Sequence, residues 1–232
     1  MKLNTPLRSF VLLSAALATC LGLLAVRFVI TGHLSHFFLI RNLFLGLLPF
    51  VIALIALFVE RQNWRGGAVL LVALSLVWLV FFPNSSYIFT DFIHLIQRGL
   101  DTDNPNARGV GNMLVWFDVV NRSLFAFVGH LMGLASLYVM HRLWRKRFGR
   151  WPGWFAVGAS CWAAGYGVFL GRFVRMSSWQ FFADPAGAWQ RLAANLPTLD
   201  SWLFSLCFGV FLAVSYFFVY VFKKHFFAQE AA

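Results

Sequence analysis

Apolar residues run along this chain in six long blocks, at about 9–26, 42–59, 66–82, 113–140, 154–171 and 202–222. Each approaches the roughly 20 residues that a helix needs to cross a hydrocarbon core of about 30 Å. The pattern predicts an all-α polytopic membrane bundle of about six transmembrane helices forming one integral membrane domain over 1–232. The third block is the shortest, the fourth is long enough to tilt or project, and Pro49 predicts a kink in the second. Lys2 and Arg8 precede the first block as they would in a signal peptide. Its continuation to about Val26 exceeds the ~15 apolar residues of such a peptide, so it reads as a retained span.

The least lipid-like stretch between two strong blocks is FFPNSSYIFTDFIHL, residues 81–95, where an apolar run meets a proline. From there Asn84, Tyr87, Asp91, His94 and Arg98 follow one another at steps of three or four, so one face of a helix would carry them all. Ile88, Phe89, Phe92, Ile93, Leu95 and Ile96 occupy its other faces.

Charge orients the spans. Lys2, Arg8, Arg61, Arg65, Arg142, Arg145, Lys146, Arg147, Arg150, Lys223 and Lys224 fall on one side, eleven in all. Arg27, Arg41, Arg98, Arg108, Arg172, Arg175 and Arg191 make seven on the other, with Arg122 inside the fourth span. The richer side is expected to be cytoplasmic, which places both termini inside. The block RLWRKRFGR at 142–150, with five basic residues, anchors that orientation and would also suit anionic headgroups. Asp91, Asp101, Asp103, Asp184 and Asp200 fall outside, Asp118 near the outer end of the fourth span, and only Glu60 and Glu230 inside. Composition agrees with a bilayer protein: 60% hydrophobic, 12% charged, mean hydropathy +0.74. The formal net charge of +11 is loop charge and calls for no polynucleotide. Cys20, Cys161 and Cys207 lie in apolar runs without metal spacing and read as buried thiols. Asp184-Pro185 marks the start of a short outer helix whose Trp189, Leu192, Ala193 and Leu196 suit the membrane surface.

Four pieces of sequence converge on the outer side: Arg41-Asn42, the Asn84 to Arg98 stripe, Trp116-Phe117-Asp118 with Asn121 and Arg122, and GRFVRMSSW at 171–179. Charges at membrane depth cost about 2.5 kcal/mol or more each, so they pair or face a wet cavity. Asp118 and Arg122 have the spacing to pair within a helix, while Asp91 has Arg41, Arg172 and Arg175 as alternative partners. Four arginines against two aspartates leave two in excess, and guanidinium forks suit phosphate or carboxylate. Two readings fit: a site for an anionic lipid or small anion, or arginines that snorkel to headgroups while aspartates lock helices together. In the first, Arg172 and Arg175 hold the anion, Asp91 and Asp118 orient them, and Tyr87, Trp116 and Trp179 shape the mouth.

Asp91 and His94, one turn apart, form a weak candidate for a general base with its orienting carboxylate, or for two metal ligands with His33 and His36. No metal or cofactor is assigned. His130 in GHLMG reads as a hydrogen-bonded packing residue. Gly129 with Gly133, and Gly167 with Gly171, have the small-residue spacing of close helix packing. Gly167 and Gly171 also offer a homodimer seam.

RNLFLGLLPF, WLVFFPNSSYIFTDFIHL, WFD and GRFVRMSSW, in this order over 41–179, resemble the bacterial multi-pass membrane family known as domain of unknown function 1361. The resemblance implies a bacterial cytoplasmic (inner) membrane protein and supplies no activity. The expectation is therefore a periplasm-facing, net-basic polar cluster that binds or transports an anionic lipid or small anion. The alternatives are a membrane enzyme acting on a lipid-linked substrate with His94 as base, and a structural or assembly subunit of a membrane complex.

Overall fold

The structure, a computed structural model, describes residues 5–33, 36–62, 64–93, 113–196 and 198–226. Among them are eight α-helices and no strand. They are α1 (Thr5–Thr31), α2 (Phe38–Arg61), α3 (Gly67–Tyr87), α4 (Met113–Phe148), α5 (Arg150–Phe169), α6 (Gln180–Ala183), α7 (Pro185–Asn195) and α8 (Leu199–Phe226). Six stretches are long and apolar enough to cross a membrane: Leu12–Thr31, Phe38–Arg61, Gly67–Phe92, Met113–Phe148, Arg150–Val174 and Leu199–Lys223. The chain is a multi-pass, all-α membrane protein.

α4 is the axis of the bundle, with 61% of its span buried against 11% for α1 at the periphery. At 36 residues it extends about 54 Å, so it carries the basic block well past the predicted end of its span. α2 packs along α3 and α4, and α5 along α8. The outward faces remain apolar, as at Phe44, Leu76, Phe155 and Phe217, because lipid is their solvent. Cys207 is exposed on the outer face of α8, which corrects the expectation of three buried thiols; Cys20 and Cys161 are buried.

The third span differs most from its sequence pattern. It does not stop at Pro83 but continues as α-helix to Tyr87 and as 3-10 helix over Ile88–Phe92. Pro83 removes the intrahelical donor due to the Leu79 carbonyl and crowds the preceding turn, and side chains bond the three carbonyls that follow. Here Ser178 Oγ donates to the Val80 carbonyl at 3.0 Å, Asn84 Nδ2 to Phe81 at 3.0 Å, and Ser85 Oγ to Phe82 at 2.8 Å. α2 likewise runs unbroken through Pro49.

The glycine pairs noted in the sequence grip this same part of α3 from two sides. A Cβ at Gly129 or Gly133 on α4 would strike Ser85, and one at Gly167 on α5 would strike the Pro83 ring. α3 is therefore wedged where its backbone is least regular. One layer further in, Trp78 stacks on Phe82 at 4.3 Å and meets Trp144 edge-on at 5.6 Å. The Trp78 indole donates to Ser136 Oγ at 3.1 Å, and that hydroxyl donates to the Gly133 carbonyl at 2.7 Å. Both residues are fully buried. Ser136→Ala strands the indole N–H and is expected to lower stability by about 1–3 kcal/mol, read as an earlier thermal unfolding transition of the purified chain. A transition unchanged within error would contradict this account of the core.

His130 fits its packing assignment. Its Nδ1 lies 2.8 Å from Ser86 Oγ, and its ring is stacked on Phe211 and edge-on to Phe89.

Candidate functional site

Arg27, Asp118, Asp91, Asn42 and Arg172 meet at one end of the bundle, the aspartate end, but the residues predicted there divide into two structures. The first is a buried charge network. Arg27 Nε donates to Asp118 Oδ1 at 2.6 Å and Nη2 to Oδ2 at 3.1 Å, a two-pronged pair between groups only 6% and 7% exposed. His36 Nε2 lies 3.6 Å from the same carboxylate. Arg122, 1% exposed, donates from Nη1 to the Asp91 carbonyl oxygen at 2.9 Å, and its Nη2 lies 3.1 Å from His36 Nε2. Phe38 lies beneath its guanidinium, 5.5 Å away. Asp91, 3% exposed, accepts from Asn42 Nδ2 at 2.8 Å and pairs with Arg172 Nη1 at 3.5 Å.

This network changes the expected pairing. Asp118 takes its two-pronged partner from α1, 91 positions away, and not from Arg122 one turn along α4. α1 extends to Thr31, past the predicted end near Val26, so Arg27 lies inside the helix and its charge needs a buried acid. Of the three arginines offered to Asp91, Arg172 is the one that reaches it. That removes Arg172 from the pair of arginines expected to hold an anion. Sequence reasoning missed Arg27 and His36 as members of the network. The signal available for Arg27 was its position at the edge of an apolar block that contains no acid of its own.

The second structure is a groove. It lies between α2, α3 and α5 under α6 and α7, with a cavity volume of about 770 Å³, within the roughly 300–1,000 Å³ typical of small-molecule sites. Asn42, Asn84, Tyr87 and Trp179 line it together with Arg41 and Arg175. Its body is apolar, with Phe44, Leu45, Leu76, Leu79 and Val80 along the walls. Phe44 and Leu76 are 59% and 61% exposed on the membrane-facing surface, so the groove opens sideways toward lipid. Tyr87 to Leu76 spans about 16 Å along α3. Among the described residues lining it there is no carboxylate. Neither the Arg41 nor the Arg175 side chain makes an ion pair or hydrogen bond with a described residue.

Local backbone sets the arginines apart. α5 ends in a π-turn over Leu170–Val174, after which Arg175 adopts a left-handed conformation, φ 58°, and the Met176 N–H closes on the Leu170 carbonyl at 3.0 Å. A left-handed non-glycine residue is uncommon and strained, and π-turns recur at functional sites. The widened turn directs Arg172 inward to Asp91 and leaves Arg175 in the groove. Trp179 and Phe182 then pack on Phe81 with ring centroids 5.1 and 5.8 Å away, and Asn84 Nδ2 donates to Ser178 Oγ at 2.9 Å. α7 begins as its sequence predicts: Asp184 caps it by accepting from the Gly187 N–H at 3.0 Å, and Pro185 takes the first helical position. The Tyr166 hydroxyl fastens α7 by donating to the Leu192 carbonyl at 2.5 Å. Trp189 and Leu192 line the groove from above, while Ala193 points away, exposed.

Trp116 is 57% exposed at the start of α4 and is not among the groove residues; Asp118 and Arg122 belong to the buried network. Asn121 is buried beside them, and neither atom of its amide has a hydrogen-bond partner among the described residues. His94, Arg98, Asp101, Asp103 and Arg108 lie outside the described residues, so the Asp91/His94 pairing has no geometry to report. Among the described residues no group of three His, Cys, Asp or Glu side chains is arranged for a metal ion.

Comparison with curated proteins and with solved structures yields no match. A family profile described as "Protein of unknown function (DUF1361)" matches residues 41–215 and so spans α2 to α8, the groove arginines and the Asp91 and Asp118 ends of the buried network. Six membrane-spanning helices and this match over most of its length together place the chain in the DUF1361 family.

Proposed function

We propose that this protein binds an anionic lipid at the aspartate end, with Arg41 and Arg175 on the headgroup phosphate and the acyl chain in the apolar groove below. The observation that carries the reading is the groove itself: apolar walls open to the membrane, two arginines with no acid partner among the described residues at one end, and no carboxylate in the described lining. Guanidinium groups match phosphate oxygens in shape and charge. A free anion would satisfy the arginines but leave the apolar walls without a purpose, which favours a lipid. The buried network then acts as a scaffold, using Asp91 to fix Arg172 and Asp118 to fix Arg27. Asn42 joins the two, because it lines the groove and donates to Asp91. The excess of Lys and Arg at the opposite end supports an orientation with both termini cytoplasmic and the groove in the outer leaflet of a bacterial inner membrane.

The test is binding of phosphatidylglycerol, phosphatidylcholine and inorganic phosphate to the delipidated, purified chain. Phosphatidylglycerol is expected to bind best, and Arg41→Gln with Arg175→Gly to weaken it about thirtyfold, at about 1 kcal/mol for each basic residue lost. Glycine accepts the left-handed backbone at residue 175 without strain, so this variant is expected to fold as stably as the parent and to isolate the charge. Equal affinity for the two lipids, or an unaffected variant, would overturn the reading; phosphate binding without lipid binding would reassign the site to a free anion.

A further inference from the structure

The opposite, basic end of the bundle contains two neighbouring cavities. α2, α4 and α5 enclose one of about 650 Å³, whose cationic lining is Arg61, Arg142, Arg145, Lys146 and Arg150. Its one carboxylate among the described residues, Glu60, is 6% exposed and lies 3.2 Å from Lys146. Arg142 and Arg145 also line a smaller cavity of about 230 Å³ between α4 and α8, shared with Tyr138, His141, Tyr220 and Lys223. No carboxylate lines this one among the described residues.

The smaller cavity is built with polar groups already in place. Arg145 Nη1 donates to the Tyr220 hydroxyl at 3.1 Å, and the Lys223 ammonium sits 4.1 Å above the Tyr138 ring. His141 is 1% exposed; its Nδ1 lies 2.6 Å from the Tyr216 hydroxyl, and its Nε2 has no hydrogen-bond partner among the described residues. His141 thus braces the Tyr216 and Tyr220 side of this cavity, and the groups open to it are the Arg142, Arg145 and Lys223 cations. With Lys146 engaged by Glu60, the cavities retain Arg61, Arg142, Arg145, Arg150 and Lys223. One phosphodiester carries a single negative charge and matches only part of that set.

We propose that these neighbouring cavities bind a headgroup bearing two phosphates, with Arg142 and Arg145, which line both cavities, placed between the two phosphoryl groups. Basic pockets between membrane helices are the setting in which such headgroups are recognised. Leu57, Val139 and Leu143 add apolar wall to the larger cavity, which suits a diphosphatidyl lipid of the leaflet opposite the groove. This site is independent of the groove and uses none of its residues.

A solvated basic block would attract anionic lipid through its total charge alone, and Arg147 separates the two ideas. It belongs to the same run of sequence but lines neither cavity. The experiment measures binding of cardiolipin, phosphatidylglycerol and inorganic pyrophosphate to the delipidated full chain by native mass spectrometry. Cardiolipin is expected to bind more tightly than phosphatidylglycerol. Arg142→Gln with Arg145→Gln should weaken it about thirtyfold, Arg147→Gln less than about threefold, and the groove variant not at all. Arg142 is exposed and Arg145 only partly buried, so the double variant is expected to fold. Pyrophosphate binding with the same sensitivity to variants, in the absence of lipid binding, would support the two-phosphate site with a soluble source. Equal losses from Arg147→Gln and from the cavity variants, or full retention by the double variant, would overturn it.

Discussion

Asp118→Asn is expected to destabilise the bundle by about 3–5 kcal/mol, the usual consequence of leaving one partner of a buried ion pair uncompensated. Asparagine keeps the shape of the side chain but not its charge, so the loss is electrostatic rather than steric. Arg27 is 6% exposed and directs two of its nitrogens at this carboxylate, with its remaining Nη1 already lacking a hydrogen-bond partner among the described residues. It is buried within a membrane span, where an uncompensated charge is costly. Thermal unfolding of the detergent-purified chain should begin well below that of the parent. Arg27→Met combined with Asp118→Leu should recover most of the difference, because removing both charges also removes their desolvation. A single variant as stable as the parent would show that the pair does not hold α1 to α4.

Gly165→Val is expected to be comparably damaging, at about 3 kcal/mol, the upper part of the range for overpacking. A Cβ at Gly165 would strike the Ser205 carbonyl oxygen and lie 3.0 Å from Ser205 Cα and 3.1 Å from the Gly209 nitrogen. These are backbone atoms of α8, so relief requires moving a whole helix. Gly209 presses back in the same way, 3.1 Å from the Trp162 Cα. Gly158 on the same helix has nothing within 4 Å of its Cβ position, so Gly158→Ala is the control and should be neutral or slightly stabilising. Equal behaviour of the two variants would remove the close α5–α8 contact from the account.

These two sites mark where the sequence could and could not be read. Spans were legible because twenty apolar residues have one economical use, and all six emerge close to their predicted positions. Helix ends were less so. The Val80 carbonyl, in the turn before Pro83, accepts from Ser178, 98 positions away, a contact no local pattern shows. Spacing in the sequence suggested Asp118 with Arg122, since only near neighbours are visible there, while the actual partner arrives through the packing of α1 on α4. The glycine motifs were visible as pairs four apart, yet the close contact of α5 with α8 belongs to Gly165 and to Gly209, the latter in a Ser201, Ser205, Gly209 small-residue run rather than a glycine pair. For the groove, the sequence identified residues and net charge but not the separation of Arg175 from Arg172. A π-turn and one left-handed residue produce that separation, and neither has a reliable signature in sequence.

The central claim, that the groove at the aspartate end holds an anionic lipid, is tested most directly by identifying what leaves the membrane with the protein. Mass spectrometry of the gently purified chain is expected to find phosphatidylglycerol retained by the parent and by Arg142→Gln/Arg145→Gln, and strongly depleted from Arg41→Gln/Arg175→Gly, whatever diphosphatidyl lipid the opposite end keeps. Retention of the same lipid by the groove variant, or a parent that carries only neutral lipid, would contradict it.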